Sequence, residues 1–273
     1  MRTPLRLAVT LAAAALLVTA CGGDNNGADS NGADSDGADA EGLSLVSSGT
    51  LTVCSDVPYA PFEFEDPDSD IGYSGFDIEL VAAVAEELDL DVEIVATGFE
   101  GLTSGATMAA GSCDIAASAM TITEERAEQI DFSDPYYDAV QSLLVPAGSD
   151  IGGIDDLTEG VVVGVQSGTT GEAYAEENVP GAEIRAFENT GDLFVAMEAG
   201  QIDAILQDQP VNVEHAREND SEVIEEYDTG ESYGFAMEQD REDGLVDAIN
   251  DGLQQVRDAG TYDEIYDKYF AVD

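Results

Sequence analysis

Two runs of alternating strands and helices constrain this chain most. In the first run, residues 51–54 (Leu-Thr-Val-Cys) read as a strand entering the turn Ser55-Asp56-Val57-Pro58. Ile78, Val81, Ala85 and Leu88 at helical spacing predict an amphipathic helix over 76–88. A strand over 92–95, a helix over 102–110 stopped by Gly111, and a short buried strand over 114–118 follow. The rhythm restarts with a strand over 161–165, a helix opened by 167–171, a strand over 184–187, a helix over 193–199 and a strand over 202–206. Leu245, Ile249, Leu253 and Val256 predict one further helix, and Tyr262, Ile265, Tyr266 and Tyr269 another. Such alternation implies helix-covered, mainly parallel sheets. The restart implies two α/β units, with 141–146 and 232–237 as the apolar crossings between them. In open α/β sheets, ligands gather at the carboxyl ends of the strands, and two units can turn those ends towards one cleft.

Charge narrows the possible partners. The 273 residues carry 59 acids against 8 Lys plus Arg, a formal charge of −51. A nucleic-acid binder needs a basic face, which this chain lacks, and an anionic membrane surface would repel it. Acids occur along the whole chain, so the excess is not a single acidic tail. A carboxylate coat that stays hydrated at high salt is the simplest account, and it predicts a halophilic source.

The amino terminus reads as a targeting signal. Arg2 and Arg6 precede an apolar stretch over 7–18, too short to span a bilayer permanently. It ends in Leu17-Val18-Thr19-Ala20-Cys21-Gly22, which resembles the lipobox of bacterial-type lipoproteins and makes Cys21 the expected lipidation site, closing a leader over 1–21. Residues 22–42 contain only Gly, Ala, Asp, Asn, Ser and Glu, with Gly-Ala-Asp starting at 27, 32 and 37. That composition predicts a flexible acidic tether. Without the leader, six cations face 59 acids, a net charge of −53, so each surviving cation is a candidate for a specific task. An exported protein could pair Cys54 and Cys113. Their places, late in one strand and at the start of another, predict two buried thiols instead. His215 stands alone, so no metal site is expected.

Six segments, in order, carry a resemblance: Tyr59-Ala60-Pro61-Phe62-Glu63; Gly75-Phe76-Asp77-Ile78-Glu79-Leu80; Met120-Thr121-Ile122-Thr123-Glu124-Glu125-Arg126; Asp131-Phe132-Ser133-Asp134-Pro135-Tyr136-Tyr137; Gly164-Val165-Gln166-Ser167-Gly168-Thr169-Thr170; and Gln207-Asp208-Gln209-Pro210. From about 51 to 270 the chain resembles family 3 of the bacterial extracellular solute-binding proteins, the polar amino-acid receptors of ATP-binding-cassette importers. The resemblance implies a two-lobed periplasmic-binding-protein-like α/β fold of type II with two hinge strands. Lobe 1 would comprise 43–140 and 234–273, and lobe 2 would comprise 141–233. It also implies a permease as partner; a monomer, lipid-anchored on the outer face of the membrane and without a cofactor, is expected.

The same resemblance assigns roles within the cleft. Arg126, in the first turn of a helix capped by Thr121 or Thr123, would clamp a ligand carboxylate bidentately. Its alternative is a surface ion pair with Glu124 or Asp131. Thr169 and Thr170, in the 167–170 turn, would offer backbone N–H groups to the same carboxylate, unless the turn is a plain helix cap. Asp208 would take the ligand ammonium, partnered by Ser118 or Thr121, with Ala119 between them. Tyr59 and Phe99 would sandwich the side chain, unless they merely pack in the core. Asp56 would meet its distal end. Gln166 stands where some glutamine receptors carry Lys, and no second cation maps to the cleft, so aspartate and glutamate are the least expected ligands. Asp77 reads as an N-terminal helix residue. Two alternatives share the scaffold: an ectoine-type compatible-solute receptor, which needs an aromatic cage beyond Tyr59 and Phe99, and a cyclohexadienyl-dehydratase-like enzyme, which needs an acid of raised pKa in the cleft.

Overall fold

The computed structural model describes residues 42–271. The leader, Cys21 and all of the tether but its last residue lie outside the described residues.

The chain enters through β1 (Thr50–Ser55), whose Leu51, Val53 and Cys54 are fully buried. A hairpin of β2 (Phe64–Glu65) and β3 (Tyr73–Ser74) precedes α1 (Phe76–Glu87), which buries Ile78, Val81 and Ala85 as their spacing predicts. β4 (Asp91–Ala96) returns parallel to β1. The single helix predicted over 102–110 is instead two, α2 (Phe99–Thr103) and α3 (Ala106–Ala109). Gly105 interrupts it at φ +72°, a left-handed conformation that helical backbone cannot continue through. Then come β5 (Ile115–Ala116), α4 (Glu124–Ala127) and β6 (Ile130–Phe132).

The second unit holds β7 (Tyr137–Pro146), β8 (Val162–Gln166), α5 (Thr170–Asn178), β9 (Glu183–Phe187), α6 (Thr190–Glu198), β10 (Ala204–Asp208), α7 (Gln209–Glu218) and β11 (Ser221–Tyr233). The chain returns as β12 (Ala236–Glu238), then α8 (Leu245–Ala259) and α9 (Thr261–Phe270). The first sheet has the order β4-β1-β5-β12-β6 and the second β11-β7-β10-β8-β9. In each, four strands share one direction and a single strand runs against them, β12 in the first sheet and β7 in the second. Leu245, Ile249, Leu253 and Val256 seat α8 in the same apolar core as the buried face of α1.

Two expectations need correction. Residues 141–146 are not a crossing: Gln141 and Leu143–Val145 are buried inside β7, between β10 and β11. The outward passage lies earlier, between Phe132 and Tyr137, and Tyr137 pairs with Tyr233 beside the return passage. An apolar run looks the same whether it crosses between sheets or fills one that is buried on both faces. The two cysteines are not thiols: Cys54 and Cys113 form a disulfide, with Cα atoms 5.7 Å apart. β5 begins only at Ile115, so Cys113 lies in the preceding turn, free to face Cys54 of the adjacent β1.

Candidate functional site

The parallel strands of both sheets end at one cavity. β1 delivers Asp56 and Tyr59, β4 delivers Phe99 through α2, and β5 delivers Ser118, Ala119 and Thr121. From the second sheet, β8 delivers Gln166, Thr169 and Thr170, and β10 delivers Asp208. With Arg126 of α4, all eleven residues singled out by the sequence line this cavity. Bonds cross it from sheet to sheet. Tyr59 Oη donates to Asp208 Oδ2 at 2.7 Å, and Gln166 Nε2 donates to Asp56 Oδ2 at 2.6 Å. The Thr121 and Thr170 hydroxyls lie 3.4 Å apart.

Arg126 is held by its own short helix. Thr123, not Thr121, caps α4: its hydroxyl accepts from the Arg126 N–H at 3.1 Å. Thr121 contributes its carbonyl, which accepts from Nη1 at 2.8 Å, while Nη2 donates to the Gly168 carbonyl across the cleft at 3.0 Å. The guanidinium lies 5.3 Å from the Phe99 ring centroid, within cation–π range, and the residue is 8% exposed. The alternative ion pair with Glu124 or Asp131 does not form. Among the described residues, Arg185, Arg217, Arg241 and Lys268 each hold a carboxylate, whereas Arg126 holds only carbonyls. Burial lowers its pKa, opposed mainly by Asp208, yet guanidinium remains charged at any ordinary pH.

Opposite it stands Asp208 at the end of β10, buried, with Gln141 Nε2 donating to Oδ1 at 2.6 Å. Burial pushes this carboxyl up to about 6, opposed first by the hydrogen bond from Tyr59. Asp56 is likewise pushed to about 6 by burial, against the Gln166 bond. Gln166 is oriented by Thr190, whose hydroxyl donates to Oε1 at 2.8 Å. Thr169 caps α5, accepting from the Glu172 N–H at 3.1 Å. In the turn before it, the Ser167 and Gly168 amides are engaged by the Phe187 carbonyl and Glu172 Oε2. Thr169 and Thr170 remain the turn's amides without a hydrogen bond among the described residues. Phe99 both lines the cavity and packs in the core with Leu102 and Met120, so its two readings coexist. Tyr59 is anchored by its hydroxyl as well as by stacking on Phe62.

Three supporting residues escaped the sequence reading of the site. Glu63 accepts from the Ser118 hydroxyl at 2.7 Å. Asp77 does sit in the first turn of α1, but its Oδ2 also accepts from the Ala119 N–H at 2.7 Å and holds that residue at φ +42°. Gln141 fixes Asp208. A lone amide within the apolar stretch that fills β7 was the available signal for Gln141. His215 stacks on Phe194 with ring centroids 3.8 Å apart, and no cluster of metal ligands occurs among the described residues.

Comparison with known proteins places this geometry. The model of the bacterial extracellular solute-binding proteins, family 3, matches residues 51–272. A probable histidine-binding protein of Neisseria gonorrhoeae is 32% identical over 272 residues, 97% of this chain and 95% of that protein. An ancestral arginine-binding protein bound to glutamine has a TM-score of 0.76 at 35% identity, covering 82% of this chain and 99% of its own. An ancestral amino acid-binding protein described as a precursor of cyclohexadienyl dehydratase has a TM-score of 0.75 at 40% identity, covering 81% and 96%. Two α/β sheets meeting at one cleft, and a family match over most of the length, make the chain a member of the bacterial extracellular solute-binding proteins, family 3.

Proposed function

We propose that the cleft captures a free amino acid with a polar or cationic side chain and presents it to the permease of an ATP-binding-cassette importer, without altering it chemically. One observation carries this reading: a buried guanidinium bound only to carbonyls faces a buried carboxylate across the same cavity. Arg126 and the Thr169 and Thr170 amides suit the ligand carboxylate, and Asp208 with Ser118 suits its ammonium. Asp56 at the far wall favours a cation or an amide over a second carboxylate. The relatives described as binding histidine, arginine or glutamine support the same class.

With β7 wholly in the second sheet, the lobe boundary expected at 140/141 moves to the passage before Tyr137, and the lobes are assigned as 43–136 with 234–273, and 137–233. Lipidation at Cys21, the tether, a monomeric state and a salt-rich habitat complete the proposal for a receptor held at the outer membrane face. No third aromatic residue lines the cavity, so the cage an ectoine-type solute needs is not formed among the described residues. The raised carboxyls of Asp56 and Asp208 keep the dehydratase reading open to test. Calorimetric titration in 2 M KCl with L-histidine, L-arginine, L-glutamine and L-glutamate decides the class. Micromolar binding of one of the first three, about −8 kcal/mol, is expected. Binding of none of them, or turnover of prephenate or arogenate, refutes the reading.

A further inference from the structure

Below the cavity floor lie two carboxyl groups that the binding scheme leaves unused. Gly75 brings them together. Its φ is +129°, and a Cβ there would sit 2.1 Å from the Phe62 carbonyl oxygen. Only glycine allows this approach. It lets the Phe76 and Asp77 N–H groups donate to the Pro61 and Phe62 carbonyls at 2.9 and 3.0 Å. Glu63 and Asp77 are thereby set side by side, both fully buried.

Neither has a cation. The four ion pairs among the described residues use other acids. The groups that face Glu63 are the carboxyls of Asp77, Asp56 and Asp208 and the hydroxyls of Tyr59, Tyr136 and Ser118. Glu63 Oε2 and Asp77 Oδ1 are buried without a hydrogen-bond partner. Two adjacent buried anions without a counterion are strongly unfavourable. A proton retained on one of them removes that cost. Burial, reinforced by Asp77, raises the Glu63 pKa, and burial brings Asp77 to about 7, which agrees with a retained proton.

The consequence falls on Ser118. A hydroxyl has one proton and two acceptor positions. The Asp56 N–H donates to Ser118 Oγ at 3.0 Å, and Oγ gives its own proton to Glu63 Oε1 at 2.7 Å. What remains towards the cavity is a lone pair. We propose that Glu63, backed by Asp77, is a positioning residue that fixes the Ser118 hydroxyl as an acceptor towards the cleft, and so selects ligands that present an ammonium there. The proposal rests on the amino-acid reading above and deepens it, since it gives the discrimination at the α-carbon to a residue that does not touch the ligand.

The readout is the ratio of affinities for an amino acid and its 2-hydroxy analogue. The pairs are L-arginine with argininic acid and L-histidine with imidazole-lactic acid, titrated calorimetrically against the unaltered protein, Glu63→Leu and Glu63→Gln. In the leucine variant Ser118 regains a donor for the cleft, and the ratio is expected to fall about tenfold. The glutamine variant presents a carbonyl to Ser118, as the protonated acid does, and should restore the ratio to within about twofold. A change in packing alone would move both affinities together and leave the ratio unaltered. An unchanged ratio in folded Glu63→Leu overturns the proposal, as does a tenfold fall in Glu63→Gln. Should the leucine variant fail to fold, Glu63→Met, which also offers Ser118 no carboxyl or carbonyl oxygen, takes its place under the same criterion. Failure of the unaltered protein to bind either amino acid overturns the amino-acid reading and this proposal with it. Normal binding with insensitive variants removes only the role of Glu63.

Discussion

Replacing Arg126 with alanine tests the site at the point where its charge is least replaceable. Of the five N–H donors on the guanidinium, one is engaged by the Thr121 carbonyl and one by that of Gly168, so three remain for a ligand. Two of those can grip a carboxylate as a fork, each bond being charge-assisted and worth about 1.5–3 kcal/mol. Removing the fork also strands the ligand carboxylate in a cavity whose other lining charges are Asp56 and Asp208. A total loss of about 3–5 kcal/mol is the expectation for a buried pair broken on one side, which weakens Kd by roughly 150- to 5,000-fold. Arg126→Lys keeps the charge without the planar fork and should fall between the two. The assay is calorimetric titration, paired with thermal unfolding of ligand-free samples. Because ligand-free Arg126 holds only two carbonyls, its removal should move the unfolding midpoint by no more than a few degrees. Affinity within threefold of the unaltered protein, in a variant with an intact melt, would show that the carboxylate end of the ligand lies elsewhere.

The Cys54–Cys113 bridge closes a loop with a sequence separation of 59, so the Cys54→Ala/Cys113→Ala double variant should lose about 2–4 kcal/mol in denaturant titration; equal stability, or two reactive thiols in the unreduced unfolded protein, contradicts the bridge. Asp208 and Asp56 are held near 6, above the roughly 3.9 of an unfolded Asp, so the stability they lend the ligand-free protein is fully present below about pH 4 and is lost as pH rises through 6. A ligand ammonium favours the ionised carboxylates, so binding should expel protons and tighten about tenfold per group from pH 5 to 7. Identical calorimetric enthalpies at pH 6 in buffers of different ionisation enthalpy would refute this. At the mouth of the cleft, Glu100 and Glu125 of the first unit face a groove shared with Glu172 and Glu176 of the second. Screening shortens from about 10 Å at 0.1 M salt to 3 Å at 1 M, so affinity and the unfolding midpoint should both rise into molar KCl, and a flat profile would refute the repulsion.

The parts of the fold that could be read from sequence are those whose burial is local. β1, α1, β4, β8, β9 and α8 declare themselves because one apolar face, or a whole apolar strand, is written in consecutive residues. β11 did not. It is thirteen residues long at the edge of the second sheet, with acids at Glu222, Glu225, Glu226, Asp228 and Glu231. Its pairing with β7 overrides the poor strand propensity of those residues, and no window of sequence contains that partner. α7 was hidden differently. Its start signals, Asp208 at the N-cap and Pro210 in the first turn, were read as part of the binding motif instead, and in the structure the Asp208 side chain turns to the cleft and makes no capping bond. In the site, the residues at strand ends were found because short motifs carry them. Glu63, Asp77 and Gln141 act on those residues from below, across 55, 42 and 67 positions of chain, and only the assembled sheets bring them into contact.

The acidity of the chain has opposite consequences outside and inside. On the surface, carboxylates are hydrated, and most need neither a partner nor a proton. In and beneath the cleft lie four carboxyls, Asp56, Glu63, Asp77 and Asp208, while the one guanidinium that lines the cavity is bonded to carbonyls. Burial raises the pKa of every one of the four, so this interior excess is relieved by protons instead of counterions. A site built this way is incomplete in charge until a solute supplies cations. A zwitterion brings one ammonium for Asp208, and its carboxylate is met by Arg126. A cationic side chain brings a second positive charge for Asp56, while a neutral amide must share that carboxylate with Gln166. On this argument L-arginine and L-histidinium should gain most as Asp56 ionises, and Asp56→Asn should bring their affinities towards that of L-glutamine by about tenfold, read by the same titrations. If the variant kept its preference for the cation, the second charge would have to be met by another wall of the cavity.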